Sequence, residues 1–349
     1  MMLDGWPPPV LDPAGPYAGS ITTLTWVLLV MAAVVLGVVL VALWVALFGR
    51  KRMQKKLGGT TAIWIGGIAF PVVVLSLLLF YGLSLTRSLS SPIQGDEMRV
   101  RVTGEMWWWR VAYLDGAGRA VLHDANELHI PTGEPVVLEL ESGDVIHSFW
   151  VPRLSGKLDM IPGRRNLMRI QADKPGVYGG QCAEYCGGPH ALMGFAVVAH
   201  APADFERFIE QRTQRAAQAT HSSAAARGAA LFDSAGCAAC HRIAGTGANG
   251  LAGPDLTFVG ARRTLGAGIL PNNRGTMIGW IGNSQAIKPR NRMPPYTVLP
   301  GEDLRALAGG GAGARRAAMA RAKSSASWAM TAKPISACGP PQYSAHWPP

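Results

Sequence analysis

Two stretches of this chain are almost wholly apolar, and they limit what it can fold into more than any other feature. Nearly every residue from Leu24 to Phe48 is hydrophobic, and a second run extends from about Ala62 to Leu85. Each is long enough to cross a hydrocarbon core ~30 Å thick with some tilt. Core helices of soluble proteins are seldom so long and so free of charge. The expectation is a two-helix transmembrane hairpin over 24–87, with spans at about 24–48 and 62–85. Pro71 falls inside the second run, where neighbouring helices and local adjustment re-satisfy the carbonyl it frees. Between the runs lies Arg50-Lys-Arg-Met-Gln-Lys-Lys56. Five positive charges in a short loop mark it as cytoplasmic by the positive-inside rule. The external segment 1–23 and everything after Leu85 then belong on the outer side. Residues 1–20 are rich in Pro and Gly and carry no basic residue, so a signal peptide, which opens on a basic region, is not expected.

The hairpin takes about seventy of the 349 residues, and the rest is enough for two small cores. The net charge of +11 would permit nucleic-acid binding, but five of the basic side chains lie in the last forty residues, where no acidic residue stands. Without a clustered basic face interleaved with aromatics, and with two membrane spans, a nucleic-acid role is not expected. Beyond the linker at 88–94 the pattern becomes strand-like. Met98-Arg-Val-Arg-Val-Thr and Val136-Val-Leu-Glu-Leu-Glu141 alternate, and turns such as Asp115-Gly116 and Thr132-Gly133 separate such runs. Short strands at this spacing predict an all-β sandwich or barrel over 95–202.

That region contains Gln181-Cys-Ala-Glu-Tyr-Cys-Gly-Gly-Pro-His-Ala-Leu-Met-Gly-Phe195, which gathers Cys182, Glu184, Cys186, His190 and Met193 within twelve residues. Thiolate, imidazole and thioether are donors that copper prefers. Zinc on two cysteines and two histidines is the bland alternative, and a Cys182–Cys186 disulfide is another. Met193 argues against zinc, because a thioether is a poor zinc ligand. Gly143-Asp-Val-Ile-His147-Ser-Phe-Trp-Val-Pro, upstream, offers the second imidazole.

Cys-x-Glu-x-Cys-Gly-x-x-His-x-x-Met with an upstream His-Ser-Phe-Trp-Val-Pro resembles subunit II of the haem–copper cytochrome c oxidases. The resemblance implies a cupredoxin-like Greek-key domain holding a binuclear copper (CuA) centre. Cys182 and Cys186 would bridge two copper ions, His147 and His190 would cap one each, and Met193 and the Glu184 carbonyl would be weak outer ligands. It further implies that the Glu184 side chain helps bind magnesium shared with subunit I, and that Asp159 lies in a loop near that subunit. Ordinary ion pairs of Asp159 and Glu184 with Arg164 or Arg165 are the alternative. In Glu105-Met-Trp107-Trp108-Trp109-Arg110, three adjacent tryptophans on a strand cannot all point inward. The family's aromatic stretch makes the first of them, Trp107, the port for electrons from cytochrome c. Many family members carry a glutamate near the start of the second span. Thr60 and Thr61 stand there in this chain, so no proton-path role is assigned. His123, His129 and His200 lack a cysteine or carboxylate at ligand spacing and are read as surface or strand-end residues.

A stretch of Ala, Gln, Arg and Ser within 203–226, including His221, reads as a linker to a third unit at 227–308. There Cys237-Ala-Ala-Cys240-His241 is the c-type haem attachment signal. A zinc knuckle or a dithiol needs no His directly after the second Cys. Arg227-Gly-Ala-Ala-Leu-Phe, Gly253-Pro-Asp-Leu and Asn291-Arg-Met293-Pro-Pro-Tyr resemble class I cytochromes c, a small all-α fold. By that resemblance Cys237 and Cys240 bind haem c covalently, with His241 and Met293 as axial ligands. Met277 sits in surroundings that suggest helix packing. Glu302-Asp-Leu-Arg-Ala-Leu-Ala308 begins a closing helix that glycines then interrupt. The tail 309–349, with an unpartnered Cys338, is expected to be disordered.

The resemblance covers most of residues 20–308. It implies a multi-pass subunit of a terminal oxidase in the bacterial inner membrane, with both cofactor domains on the periplasmic side. Its partners would be subunit I, the other oxidase subunits, and cytochrome c or a membrane donor. Oxygen would be reduced to water, with proton pumping, in the complex. A nitrous-oxide reductase shares the copper motif but lacks the hairpin, and a copper-delivery protein would not need the haem. A quinol oxidase subunit II has lost the copper ligands.

Overall fold

The computed structural model describes residues 8–89, 97–216 and 223–309. Residues 1–7, positions 90–96, positions 217–222 with His221, and the tail from 310 with Cys338 lie outside the described residues.

The first apolar run forms α1 (Pro16–Phe48). It starts earlier than the hydrophobic run because Pro16 suits a first helical turn. The hydroxyls of Ser20, Thr23 and Thr25 are absorbed by bonding to the carbonyls four residues back. The basic loop folds into α2 (Lys51–Leu57). The second run comprises α3 (Thr60–Trp64), a π-helical turn (Ile65–Ala69) and α4 (Phe70–Leu89). Pro71 has no N–H and in a regular helix its ring would collide with the carbonyl of Gly67, a conflict that the widened turn just before it relieves. Large apolar side chains such as Phe48 and Phe80 stay exposed on these helices. A helix apolar all round belongs in lipid, and two helices here are long and apolar enough to cross a membrane.

Residues 98–200 form a cupredoxin-like sandwich of ten strands. They are β1 (Met98–Glu105), β2 (Trp108–Leu114), β3 (Ala120–Ala125), β4 (Glu127–Pro131) and β5 (Val136–Ser142). There follow β6 (His147–Trp150), β7 (Lys157–Met160), β8 (Asn166–Ile170), β9 (Gly176–Cys182) and β10 (Gly194–His200). One sheet runs β3-β2-β1-β5-β8 and the other β4-β10-β9-β6-β7. Pairing is antiparallel except for β1 with β5 and β4 with β10. Alternation explains the layering. Val100, Val102, Leu138 and Leu140 turn inward and are fully buried, while Arg101 and Glu139, opposite each other in the register, pair at 2.9 Å. Trp109 lies edge-on against Phe149 and Phe195 at 5.8 and 5.7 Å between the sheets. The N-terminal segment is tied to the same body, since Ala14 N–H donates to the Arg153 carbonyl and Asp173 N–H to that of Ala14. The N-terminal end of α1 is therefore held beside the sandwich.

The stretch read as a linker from 203 begins with a helix, α5 (Pro202–Ala216). Phe208 and Ile209 pack it on the sandwich core, and Phe208 stacks on His129 at 4.0 Å. Its few apolar residues sit at helical spacing, which the polar composition hides.

The third unit contains α6 (Ser223–Ser234), a short hairpin of β11 (Thr264–Leu265) and β12 (Leu270–Pro271), α7 (Arg274–Ile287) and a helical segment over 301–309. Asn273 caps α7 through a reciprocal box with Thr276. Met277, Leu265 and Ala308 are buried together, so Met277 is a core residue. The closing helix crosses α6 at Gly228, where a side-chain carbon would fall 2.6 Å from the Ala306 carbonyl oxygen. Arg227 pairs with Asp303 at 2.6 Å beside this crossing. The unit is seated on the sandwich: Arg262 Nε donates to Asp124 Oδ1 at 2.7 Å with both side chains buried, and Arg263 N–H donates to Glu127 Oε2 at 2.9 Å.

Candidate metal centre and haem site

The cysteine loop leaves β9 at Cys182 and returns through a 3-10 turn (His190–Leu192) to β10. β6 starts at His147 beside it, with Phe149 opposite Cys182 in the register. This brings His147, thirty-five residues upstream of Cys182, to the loop. His147 Nδ1 lies 3.8 Å from Cys182 Sγ, and His190 Nδ1 lies 3.4 Å from Cys186 Sγ. The two sulfurs are 3.8 Å apart, Met193 Sδ is 3.8 Å from Cys186 Sγ, and the Glu184 carbonyl is 3.2 Å from Cys182 Sγ. All six sequence-derived donors therefore converge, and one imidazole and both thiols face one another in a buried group.

The geometry discriminates between the readings. A disulfide needs sulfurs about 2.05 Å apart, and both cysteines are free. A single zinc would take four strong ligands and leave Met193 without a purpose, yet Met193 is fully buried and aimed at Cys186. Soft donors on both sides of a thiol pair fit copper. The Cys186 and His147 hydrogen bonds hold the Cys182 thiol well below the usual thiol range. Hydrogen bonding to Cys182 and burial push that of Cys186 up.

His147 is oriented by a residue the sequence reading passed over. Its Nε2 lies 2.9 Å from Asp144 Oδ1, which leaves Nδ1 for the loop. An imidazole ligand held this way by a carboxylate has a fixed ring plane and tautomer. The hydrogen bond to His147 and those from the Met106 and Val145 amides outweigh partial burial and hold the Asp144 carboxyl below its usual range. Asp144 also lies 3.4 Å from Arg292, the neighbour of Met293 in the third unit. The signal was present in the sequence as Asp-x-x-His.

Trp107 is not on a strand. It occupies the turn between β1 and β2, so the three tryptophans have three fates. Trp109 is buried, Trp108 lies under the Arg110 guanidinium at 4.8 Å, and Trp107 turns to the loop, donating from Nε1 to the Cys186 carbonyl at 2.8 Å. Asp159 lies on β7 and faces Lys157 at 3.8 Å, not Arg164 or Arg165. Glu184 keeps a half-buried side chain at the loop. His129 is not a surface residue. It is buried between Glu127 Oε1, 2.9 Å away, and His200 Nε2, 2.8 Å away. Glu127, two residues before it on the same face of β4, was the missed carboxylate.

In the third unit a 3-10 turn (Cys237–Ala239) presents Cys237, Cys240 and His241. His241 Nδ1 donates to the Pro254 carbonyl at 2.8 Å, so Nε2 is the nitrogen left for a metal. Burial lowers the His241 pKa and favours the neutral, ligating form. Met293 is fixed by its backbone: its N–H donates to Asn291 Oδ1 at 2.8 Å, and its carbonyl accepts from Gln285 Nε2 at 2.8 Å. Tyr296, three residues on, donates to the Ala235 carbonyl and faces the Cys237 thiol, which ties the Met293 segment to the cysteine turn.

The chain is similar to known proteins. Residues 113–200 match the family described as cytochrome c oxidase subunit II, periplasmic domain, and residues 225–309 match cytochrome c. Cytochrome c oxidase subunit 2 of Alkalihalophilus pseudofirmus is 34% identical over 309 residues, covering 85% of this chain and 88% of the relative. Its counterpart in Bacillus subtilis is 28% identical over 74% of this chain and 76% of the relative. The crystal structure of the periplasmic domain of subunit II of cytochrome oxidase of Bradyrhizobium japonicum aligns with 35% of this chain and 97% of that one, at 28% identity and a TM-score of 0.32.

Proposed function

This chain belongs to the cytochrome c oxidase subunit II family, with a cytochrome c domain fused behind the sandwich, and we propose that it is the subunit through which electrons reach a terminal oxidase. The observation that carries the reading is the convergence of the donors of Cys182, Cys186, His147, His190 and Met193 and the Glu184 carbonyl, in a chain that also presents a haem-attachment turn. Cys182, Cys186, His147 and His190 would hold a binuclear copper centre, the imidazoles through Nδ1, with Met193 and the Glu184 carbonyl as weaker donors. Cys237 and Cys240 would hold haem c, with His241 and Met293 as the residues that would ligate its iron. When bound, the copper pair and the haem supply reversible one-electron uptake.

The protein's own work is to hold these groups still and dry. His147 and Met193 are wholly buried and the two cysteines nearly so, so little water must reorganise when charge changes. The Asp144 and Pro254 hydrogen bonds fix the ring planes of His147 and His241. A Met/His pair raises the haem potential. In this reading the haem unit would take electrons from cytochrome c or a membrane donor. The copper loop, with Trp107 at the approach, would hand them to subunit I, where oxygen would be reduced to water with proton pumping. Tethering would give the donor an effective concentration of roughly millimolar. The Glu184 side chain would contribute to a magnesium site shared with subunit I. The two helices lie in the bacterial inner membrane with α2 cytoplasmic, and the sandwich and haem unit are periplasmic.

Purification from membranes of a host that makes haem c tests this. The oxidase complex should yield this chain with two coppers at the loop and one covalent haem, and rapid reduction of the haem should be followed by reduction of copper. A Cys237→Ser/Cys240→Ser chain that retains covalent haem, or a loop that holds only zinc, would refute the assignment.

A further inference from the structure

Lys288 is 3% exposed, yet it lies between two units rather than inside one. Its Nζ donates to the carbonyls of Trp107 at 2.7 Å, Leu192 at 2.9 Å and Gly266 at 3.1 Å. The first belongs to the β1–β2 turn, the second to the copper loop and the third to the hairpin of its own unit. An ammonium has three N–H donors, and here each finds an acceptor. Burial without such acceptors would be very costly, and the surrounding desolvation pulls the Lys288 pKa down to about 7.

The hairpin it grips is built at a conformational cost. Gly266, Ala267 and Gly268 all have left-handed backbone, with φ of 66°, 66° and 87°. Ala267 is an uncommon residue there, and such strain persists only where the surroundings demand it. What it achieves is orientation: the Gly266 carbonyl reaches Lys288, and the Ala267 carbonyl accepts the Gly194 N–H at 3.0 Å, one residue past Met193. Arg290, also left-handed at φ 69°, lays its side chain along Gly188. Lys288, the Ala267 carbonyl and the Arg290 side chain of the third unit thus converge on one patch, the cysteine loop and the Trp107 turn.

We propose that Lys288 is the positioning residue that locks the fused haem unit onto the Trp107 turn and the copper loop. The lock sets the approach from haem to copper and keeps a free donor off that face. The proposal rests on the electron-relay reading for its purpose, and on the geometry alone for the lock. A backbone-directed pin suits this task because it holds the Trp107 turn and the cysteine loop by their main chains and leaves their side chains free.

The test uses the full chain in detergent with cofactors bound. Hydrogen exchange over 186–194 is measured alongside the rate of copper reduction after the haem is flash-reduced. In the wild type, 186–194 should exchange as slowly as the sandwich strands. In Lys288→Met, of similar length but unable to donate, exchange there should quicken by about tenfold or more. Haem-to-copper transfer should slow by about tenfold or more, with the haem and copper spectra unchanged. Lys288→Arg should recover most of both. Loop-like exchange over 186–194 in the wild type overturns the lock without any variant. So does a Lys288→Met chain that behaves as wild type, or a Lys288→Arg chain that behaves as Lys288→Met. If the wild type is protected but its haem never reduces the copper, the relay reading fails and the lock stands.

Discussion

Asp144 Oδ1 lies 2.9 Å from His147 Nε2, while Asp144 Oδ2 lies 3.4 Å from Arg292, next to Met293. One carboxylate thus orients an imidazole at the cysteine loop and touches the segment carrying Met293, the proposed haem ligand. Asp144→Ala should weaken copper binding by about 10–100-fold, and Asp144→Asn, which keeps an acceptor, by less. Competition with a chelator measures this. Equal affinity in all three chains would show that His147 does not depend on Asp144.

Gly228 lets α6 and the closing helix cross in contact. Gly228→Val should force them apart, so the haem unit should lose its His/Met spectrum at lower denaturant than the wild type, while the sandwich unfolds as before. A displacement of about 1–3 kcal/mol is the scale for overpacking such a contact. An unchanged haem transition would place the closing helix elsewhere.

His200 is pulled down to about 4 by burial and by the adjacent His129. The unfolded chain takes up this proton near pH 6.5, whereas the folded one resists it. The contribution to stability is therefore complete above pH 6.5, falls as pH drops from 6.5 toward 4, and levels off below. His200→Gln should flatten this part of the curve of apparent Tm against pH. A slope unchanged by the substitution would put the titration on another group.

Topology follows from Arg50, Lys51, Arg52, Lys55 and Lys56, and from the bond that holds Ala14 against Arg153 of the sandwich. A reporter inserted after Gln54 should be cytoplasmic, and one after Ala203 exported. An internal reporter at 203 would contradict the relay, because covalent haem attachment is expected outside.

Local patterns made the spans, the strand alternation and both cofactor motifs legible in the sequence, because each is carried by residue type at short spacing. What stayed hidden depended on long-range folding. Trp107 looks like a strand residue until Met106 and Trp107 are seen to form the turn. The α5 helix is masked by its polar face, and only Phe208 and Ile209 betray it. Lys288 has nothing local to distinguish it, since its acceptors come from three distant segments. Asp124 and Arg262, 138 residues apart, meet only because the third unit docks.

The central claim is that the cysteine loop holds a pair of coppers bridged by two thiolates. Paramagnetic resonance of the copper-loaded full chain, poised between oxidised and reduced, tests it most directly. The unpaired electron should be shared equally by two copper nuclei. Cys186→Ser should abolish the sharing, and His147→Ala should leave an incomplete site despite the distance of His147 in sequence. Met193→Leu should shift the potential while both ions stay bound. A single-copper signal indifferent to His147→Ala, or a loop filled by one tightly held zinc, would contradict the account.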